Sequence, residues 1–295
     1  MLESQSQNTS SAVPRFEFGQ REKHRIFKII SYIVVSIGAF TMLLPFFWML
    51  STSFKPERGV FQMPPQWIPQ PVTTEHYEEV WRVNNMARGM WNSFFVAFSS
   101  TAGEIFTSTL AGFAFARIRF RARNTLFALL LVTMMIPGVV TMIPAFILFR
   151  ELGWLNSFRP LIVPLLFGTP FALFLSRQYF TGLPSELEDA GKVDGANFFQ
   201  IYWRIFMPQA KPLVATLFVL GFMARWNDFL GPLIYLQREE LYTLPLLLAR
   251  LNTLYIQKWS MLMAGSMIAL LPILILFLLL QRFFIQSVAF SGLKG

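Results

Sequence analysis

Cysteine is absent from this 295-residue chain. That excludes a disulfide framework, thiolate catalysis and Cys-ligated zinc or iron–sulfur centres. His24 and His76 are its only imidazoles, too few for a His-based metal cluster. Charged residues make up 14% of the chain, against about a quarter in an average soluble domain. No lysine is followed by Ser or Thr, so the Gly-Lys-Ser/Thr end of a phosphate-binding P-loop is missing. No serine has a glycine two residues before it, which removes the Gly-x-Ser-x-Gly nucleophile elbow. Neither a catalytic constellation nor a metal site is expected.

What the chain has is apolar surface: 54% of residues are hydrophobic and the mean hydropathy is +0.49. A spanning helix needs about 20 mostly apolar residues. Stretches 29–54, 89–116, 124–149 and 259–281 meet this with at most one charge each. Two more, 160–181 and 212–237, are weaker. The first holds Pro160, Pro164 and Pro170, and the second holds Arg225 and Asp228. The expected fold is an all-α integral membrane protein with six transmembrane helices. The first stretch is too long for a signal-peptide core and no small-x-small site follows it, so it reads as an uncleaved anchor. Residues 1–25, polar and rich in Ser and Gln, are expected to form a disordered tail. Residues 26–295 are expected to form one transmembrane domain.

The net charge of +9 is sorted along the chain. Arg15, Arg21, Lys23, Arg25 and Lys28 precede the first span, and Arg117, Arg119, Arg121 and Arg123 fill the short loop after the second. Both clusters fall on the same side of a six-span topology. The positive-inside rule weights such short juxtamembrane segments, so both termini are expected in the cytoplasm. This sorting accounts for the basic character without a nucleic-acid partner.

Segment 183–211 lies on that cytoplasmic side. Ser185 with Glu188 three residues on matches a capping box and predicts a short helix. Gly195 permits the left-handed geometry that ends it. Asn197 is placed to cap a second helix, with Phe198, Tyr202, Ile205 and Phe206 on one face and Pro208 at its end. Such a helix–turn–helix unit suits two roles: a hairpin resting on lipid headgroups, or a docking element for a soluble partner.

This segment resembles a known family. Asp189-Ala190-Gly191, three residues, Gly195, nine residues, then Ile205-Phe-Met207-Pro208 is similar to the EAA motif of ABC importer permeases, Glu-Ala-Ala-x3-Gly-x9-Ile-x-Leu-Pro. It departs at Asp189, Gly191 and Met207. Further stretches resemble the carbohydrate-type, maltose permease-like branch. They are Phe180 to Pro184, Lys192-Val-Asp194-Gly-Ala196, Ile136-Pro-Gly138 with Pro144, Gly153-Trp-Leu-Asn156 and Trp226-Asn-Asp-Phe-Leu230. The resemblance implies a type I ABC importer permease fold in a bacterial or archaeal plasma (inner) membrane. It implies that Asp189, Ala190, Gly191, Lys192, Asp194, Gly195, Ala196, Ile205 and Pro208 belong to a coupling loop seated in an ATPase cleft. It also implies partners: a second permease subunit, two ATPase subunits that use ATP and magnesium, and an extracytoplasmic sugar-binding protein. The chain itself would be no enzyme and hold no cofactor. The implied cargo is a sugar or oligosaccharide. A phosphorylated polyol or other small solute is the alternative, and a stand-alone secondary transporter a more distant one.

Apart from Arg177 at the cytoplasmic end of 160–181, three ionisable residues fall inside the expected spans: Glu104, Arg225 and Asp228. Such residues are costly there and usually functional. Arg225 and Asp228, at i and i+3, are spaced to pair on a helix. Alternatively, Trp226, Asn227 and Asp228 line a wet translocation pathway, with Gly231-Pro232 breaking the helix beyond. Glu104 is expected to be a buried hydrogen-bonding residue.

Overall fold

The computed structural model describes residues 20–83, 85–254 and 258–291, and it is helical through most of them. It divides into two units at Met49. The first unit is one helix, the greater part of α1 (Gln20–Ser53). Most of its apolar side chains are exposed, Phe27, Tyr32, Val35 and Met42 among them, as a lipid-facing span requires. The helix starts at Gln20, nine residues before the expected span. The tail expected over residues 1–25 lies largely outside the described residues.

The second unit begins at Leu50. It contains α2 (Glu75–Val83), α3 (Met86–Arg117), α4 (Arg123–Thr133), α5 (Gly138–Glu151), α6 (Arg159–Leu166) and α7 (Pro170–Thr181). Next come α8 (Glu186–Val193), α9 (Phe198–Gln200), a π-helical turn (Ile201–Phe206), α10 (Met207–Gln209) and α11 (Lys211–Trp226). α12 (Leu230–Tyr235), α13 (Leu244–Leu254) and α14 (Trp259–Ser291) complete it. Helix α3 is the hub, packed against α2, α6, α7, α11 and α13. Small residues make this possible, because backbones approach closely where side chains are short. A Cβ on Gly112 would collide with Ser176 Cβ and stand 2.9 Å from Arg177 N, so α3 and α7 touch backbone to backbone there.

The buried face of α3 is polar, with Asn92, Ser93, Ser100, Thr101, Glu104, Ser108 and Thr109 all inside. Local bonds absorb part of that polarity: Ser100 Oγ donates to Val96 O at 2.5 Å and Thr109 Oγ1 to Ile105 O at 2.6 Å. Three apolar clusters surround the hub. One joins Met86 and Ala97 to Phe222, Trp226, Met261 and Ala264. The second joins Phe113 and Phe180 to Tyr202, Phe206 and Leu213. The third joins Val96 to Phe149, Leu161 and Tyr235.

Six spans were expected. Among the described residues, three helical stretches are by themselves long and apolar enough to cross a membrane: 24–53, 159–181 and 259–282. Two bent pairs, α4 with α5 and residues 198–209 with α11, raise the number to at most five if each pair is one span. α3 is long enough, but the polar face just described lowers its hydropathy. The stretch 124–149 is two helices, α4 and α5, meeting at 94°. Pro137 sits at that break, where it lacks a donor and disfavours helical geometry in the residue before it. The stretch 212–237 is also broken. α11 ends at Trp226 and α12 starts at Leu230, so Gly231-Pro232 lies inside a helix rather than at the break. α6 and α7 are separated by residues 167–169, with Gly168 at φ +84°.

Candidate functional site

The EAA-like segment folds by local rules. Helix α8 carries Asp189, Ala190, Gly191 and Lys192 and is capped at Asp194. Gly195 follows at φ +74°. Its N–H donates to Lys192 O at 3.0 Å, and Ala196 N–H donates to Gly191 O at 2.9 Å. These two bonds are a Schellman closure, which needs a left-handed residue at the glycine position. No atom lies within 4 Å of where a Gly195 side chain would start, so backbone geometry rather than space demands glycine there. Asn197 then caps the next helix: its Oδ1 accepts from Gln200 N, and Gln200 Oε1 accepts from Asn197 N, both at 2.9 Å.

Other local expectations are corrected. Ser185 precedes α8 but makes no capping bond, because its backbone is helical (φ −69°, ψ −27°) where a capping residue needs an extended one. Glu188 turns instead to Lys192, at 2.6 Å, and to Arg117, at 4.0 Å. Pro208 lies one residue before the end of the second helix, which runs over 198–209, and the chain bends by 78° beyond Gln209. Phe198 was expected on the face of Tyr202 and Phe206, yet those two are fully buried while Phe198 is exposed. The π turn shifts the helical register between them.

Gly191 has a packing reason. A Cβ there would come within 2.7 Å of Ile205 Cδ1, so the missing methyl makes room for Ile205. The unit is thus closed on itself through Gly191 and Ile205. Outward it presents Asp189, Ala190, Lys192, Asp194 and Gly195, all exposed, with Ala196 half-buried and Pro208 exposed.

Arg117, the last residue of α3, ties this unit to the membrane helices. Its Nε and Nη2 donate to Phe180 O at 3.1 and 2.6 Å, and Nη2 also reaches Leu183 O. Its guanidinium lies over the Phe206 ring, 5.0 Å from the centroid. One side chain therefore fixes the end of α7, the start of the loop and the π turn together. Between α3 and α8 lies an open cleft of about 710 Å³, whose lining includes Arg119, Arg123 and Asp189. Sequence reasoning counted Arg117 only as a topology marker.

At the other polar position, Arg225 does not pair with Asp228. Its Nη2 lies 2.6 Å from Glu104 Oε2, and Thr169 Oγ1 donates to Glu104 Oε1 at 2.5 Å. α11 ends at Trp226, so Asp228 is no longer one helical turn away from Arg225. Asp228 Oδ1 instead accepts from Gly231 N at 3.2 Å. Trp226 is buried, with Nε1 donating to Ala269 O at 3.1 Å and its ring stacked on Phe222. It offers no free face for a sugar. Asn227 is exposed and Asp228 half-buried. Among the described residues no group of His, Cys, Asp or Glu is arranged to hold a metal.

The family described as "Binding-protein-dependent transport system inner membrane component" matches residues 105–290. The chain belongs to this family. The matched region runs from the middle of α3 through the EAA-like loop into α14. The chain is 32% identical over 275 residues to the arabinooligosaccharides transport system permease protein AraQ of Bacillus subtilis (strain 168), covering 92% of this chain and 96% of that one. It is 33% identical over 270 residues to the lactose transport system permease protein LacG of Rhizobium radiobacter, covering 90% and 96%. Its fold is shared with a chain in the crystal structure of a bacterial ABC transporter involved in the import of the acidic polysaccharide alginate. That match has a TM-score of 0.76 and 24% identity, and covers 92% of this chain and all of the other. This binding-protein-dependent permease therefore has the type I ABC permease fold.

Proposed function

We propose that this chain is the permease subunit of an ATP-driven importer that translocates a sugar or oligosaccharide delivered by an extracytoplasmic binding protein. The names of its relatives, arabino-oligosaccharide and lactose permeases, support the cargo class. Asn227 and Asp228 sit at the end of a broken helix, a common place for a transporter site, with an amide and a carboxylate suited to hydroxyl groups. A carboxylate there disfavours a phosphorylated cargo. Arg225, the cation that would attract one, is neutralised by Glu104.

The observation that carries the proposal is the exposed α8–Gly195 unit, locked inside by Gly191 and Ile205 and clamped to α3, α7 and the π turn by Arg117. A rigid amphipathic projection of this kind transmits force better than a loop lying on headgroups. Closure of an ATPase dimer on ATP then moves the unit, and the helices bound to Arg117 switch from inward-facing to outward-facing. Asp189 reaches a basic group on the ATPase and Lys192 an acidic or polar one. ATP and magnesium belong to those partner subunits. A second permease subunit completes the assembly, and both termini face the cytoplasm of a bacterial or archaeal cell.

Purification through a tag on this chain tests the assignment. Co-elution of an ATPase, and uptake of radiolabelled arabino-oligosaccharide or lactose by vesicles supplied with the binding protein, are expected. Uptake without any ATPase, driven by an ion gradient, would replace the proposal with a secondary transporter. Uptake of a phosphorylated polyol in preference to sugars would correct the cargo alone.

A further inference from the structure

Glu104 sits midway along α3 and is 5% exposed. Its two oxygens serve different elements. Oε1 accepts from Thr169, the cap of α7, whose own Oγ1 accepts from Ala172 N at 3.3 Å. Oε2 meets Arg225 in the last turn of α11, and Arg225 Nη1 donates back to Gly221 O at 2.8 Å, which fixes the guanidinium in its own helix. The backbone yields space for both links. Gly168 takes φ +84°, and a Cβ on it would stand 2.7 Å from Ser108 Oγ. A Cβ on Gly221 would stand 2.8 Å from Arg225 Nη1 and 3.1 Å from Glu104 Oε2.

Both linked elements are interrupted spans. Thr169 closes the break between α6 and α7, and Arg225 lies two residues before Asn227. We infer that Glu104 is a positioning residue of the translocation pathway: it binds the break at 167–169 and the α11 end bearing Asn227 and Asp228 to α3, so that both breaks move as one body. The inference rests on the pathway reading of Asn227 and Asp228 above.

A well-packed apolar pair would hold two helices equally well, since burying charges is costly. What a carboxylate adds is direction, because charge-assisted bonds to two partners fix the relative placement of both. The patch also has unused polar capacity. Thr101 Oγ1 and Ser108 Oγ, one turn before and one turn after Glu104, are buried without partners, as is Arg225 Nε. Buried polar atoms are normally bonded. Three unmet in one patch suit a joint whose partners exchange between two arrangements better than a static core.

The absence of native cysteine permits a clean test that needs no knowledge of the cargo. Asn227→Cys is introduced, and the chain in its assembled complex, in lipid vesicles, is labelled with a charged, membrane-impermeant maleimide. Rates are compared without nucleotide and after trapping with ATP and vanadate. The Asn227→Cys parent should label at rates differing at least fivefold between the two states. Adding Glu104→Gln or Thr169→Val should bring that ratio to within twofold of one, while Thr169→Ser keeps it. Thr169→Val removes a hydroxyl and strands no charge, so it decides the matter where Glu104→Gln does not assemble. A parent ratio left intact in both variants overturns the role of Glu104 and leaves the pathway reading standing. A ratio of one already in the parent overturns the pathway reading and this inference with it.

Discussion

Arg225 pairs with Glu104 across two helices, at 2.6 Å and with both side chains about nine-tenths buried, rather than with its near neighbour Asp228. Removing one member strands a buried charge at a cost of about 3–5 kcal/mol, whereas replacing both removes that penalty. Arg225→Leu and Glu104→Leu should each lower the thermal midpoint and membrane yield of the complex sharply. The double replacement should recover most of both. Arg225→Leu with Asp228→Leu should recover nothing, because Asp228 is not the partner. Thermal unfolding of the detergent-solubilised complex reads all four.

Arg117 should behave as a clamp and not as a mere positive charge. Its planar fork serves two carbonyls and covers the Phe206 ring, geometry that an ammonium group does not reproduce. Arg117→Ala should accelerate amide hydrogen exchange across 183–197 by tenfold or more, and Arg117→Lys should restore less than half of the protection. Equal protection in all three would remove the clamp.

Asn227→Leu is expected to reduce sugar uptake at least tenfold while the complex assembles and hydrolyses ATP at its basal rate. Among the described residues its exposed amide bonds to Met223 O alone, at 2.8 Å, in the last turn of α11, so the fold loses about 1 kcal/mol or less with it. Normal uptake would take Asn227 out of the pathway. Trp226→Phe should lower stability instead of altering cargo preference, since Trp226 packs inside the chain.

Orientation has its own test. A reporter active only outside the cytoplasm should give signal when fused after Trp67 and none after Arg121. The reverse pattern would turn the EAA-like unit away from any ATPase.

Some local rules were readable from the sequence, though not the Ser185 cap, and long-range pairings were not. Gly195 and Asn197 could be placed because caps and left-handed turns depend on a few adjacent residues. The Arg225–Glu104 pair was not legible, because spacing along a helix offers only partners on that helix, and here the helix stops at Trp226. Hydropathy located the apolar stretch 124–149 but carries no information on direction, so the 94° bend at Pro137 passed unseen. Tyr202 and Phe198 were given one face by a 3.6-residue period that the π turn breaks. Thr169 carried no signal at all, since its value comes from a carboxylate on another helix.

Gly195 gives the most direct measurement of whether the 183–211 unit couples this permease to an ATPase. The position is open to space but closed to most side chains by its φ of +74°. A β-branched residue there is strained by roughly 1–2 kcal/mol and misaims both helices, whereas Asn tolerates the conformation. Complexes are purified through a tag on Gly195→Val, Gly195→Asn and the parent chain, and co-eluting ATPase and binding-protein-stimulated ATP hydrolysis are measured. The expected result is a several-fold loss in Gly195→Val at unchanged membrane levels of the permease, with Gly195→Asn close to the parent. Full ATPase recovery and full stimulation in Gly195→Val would contradict the coupling role.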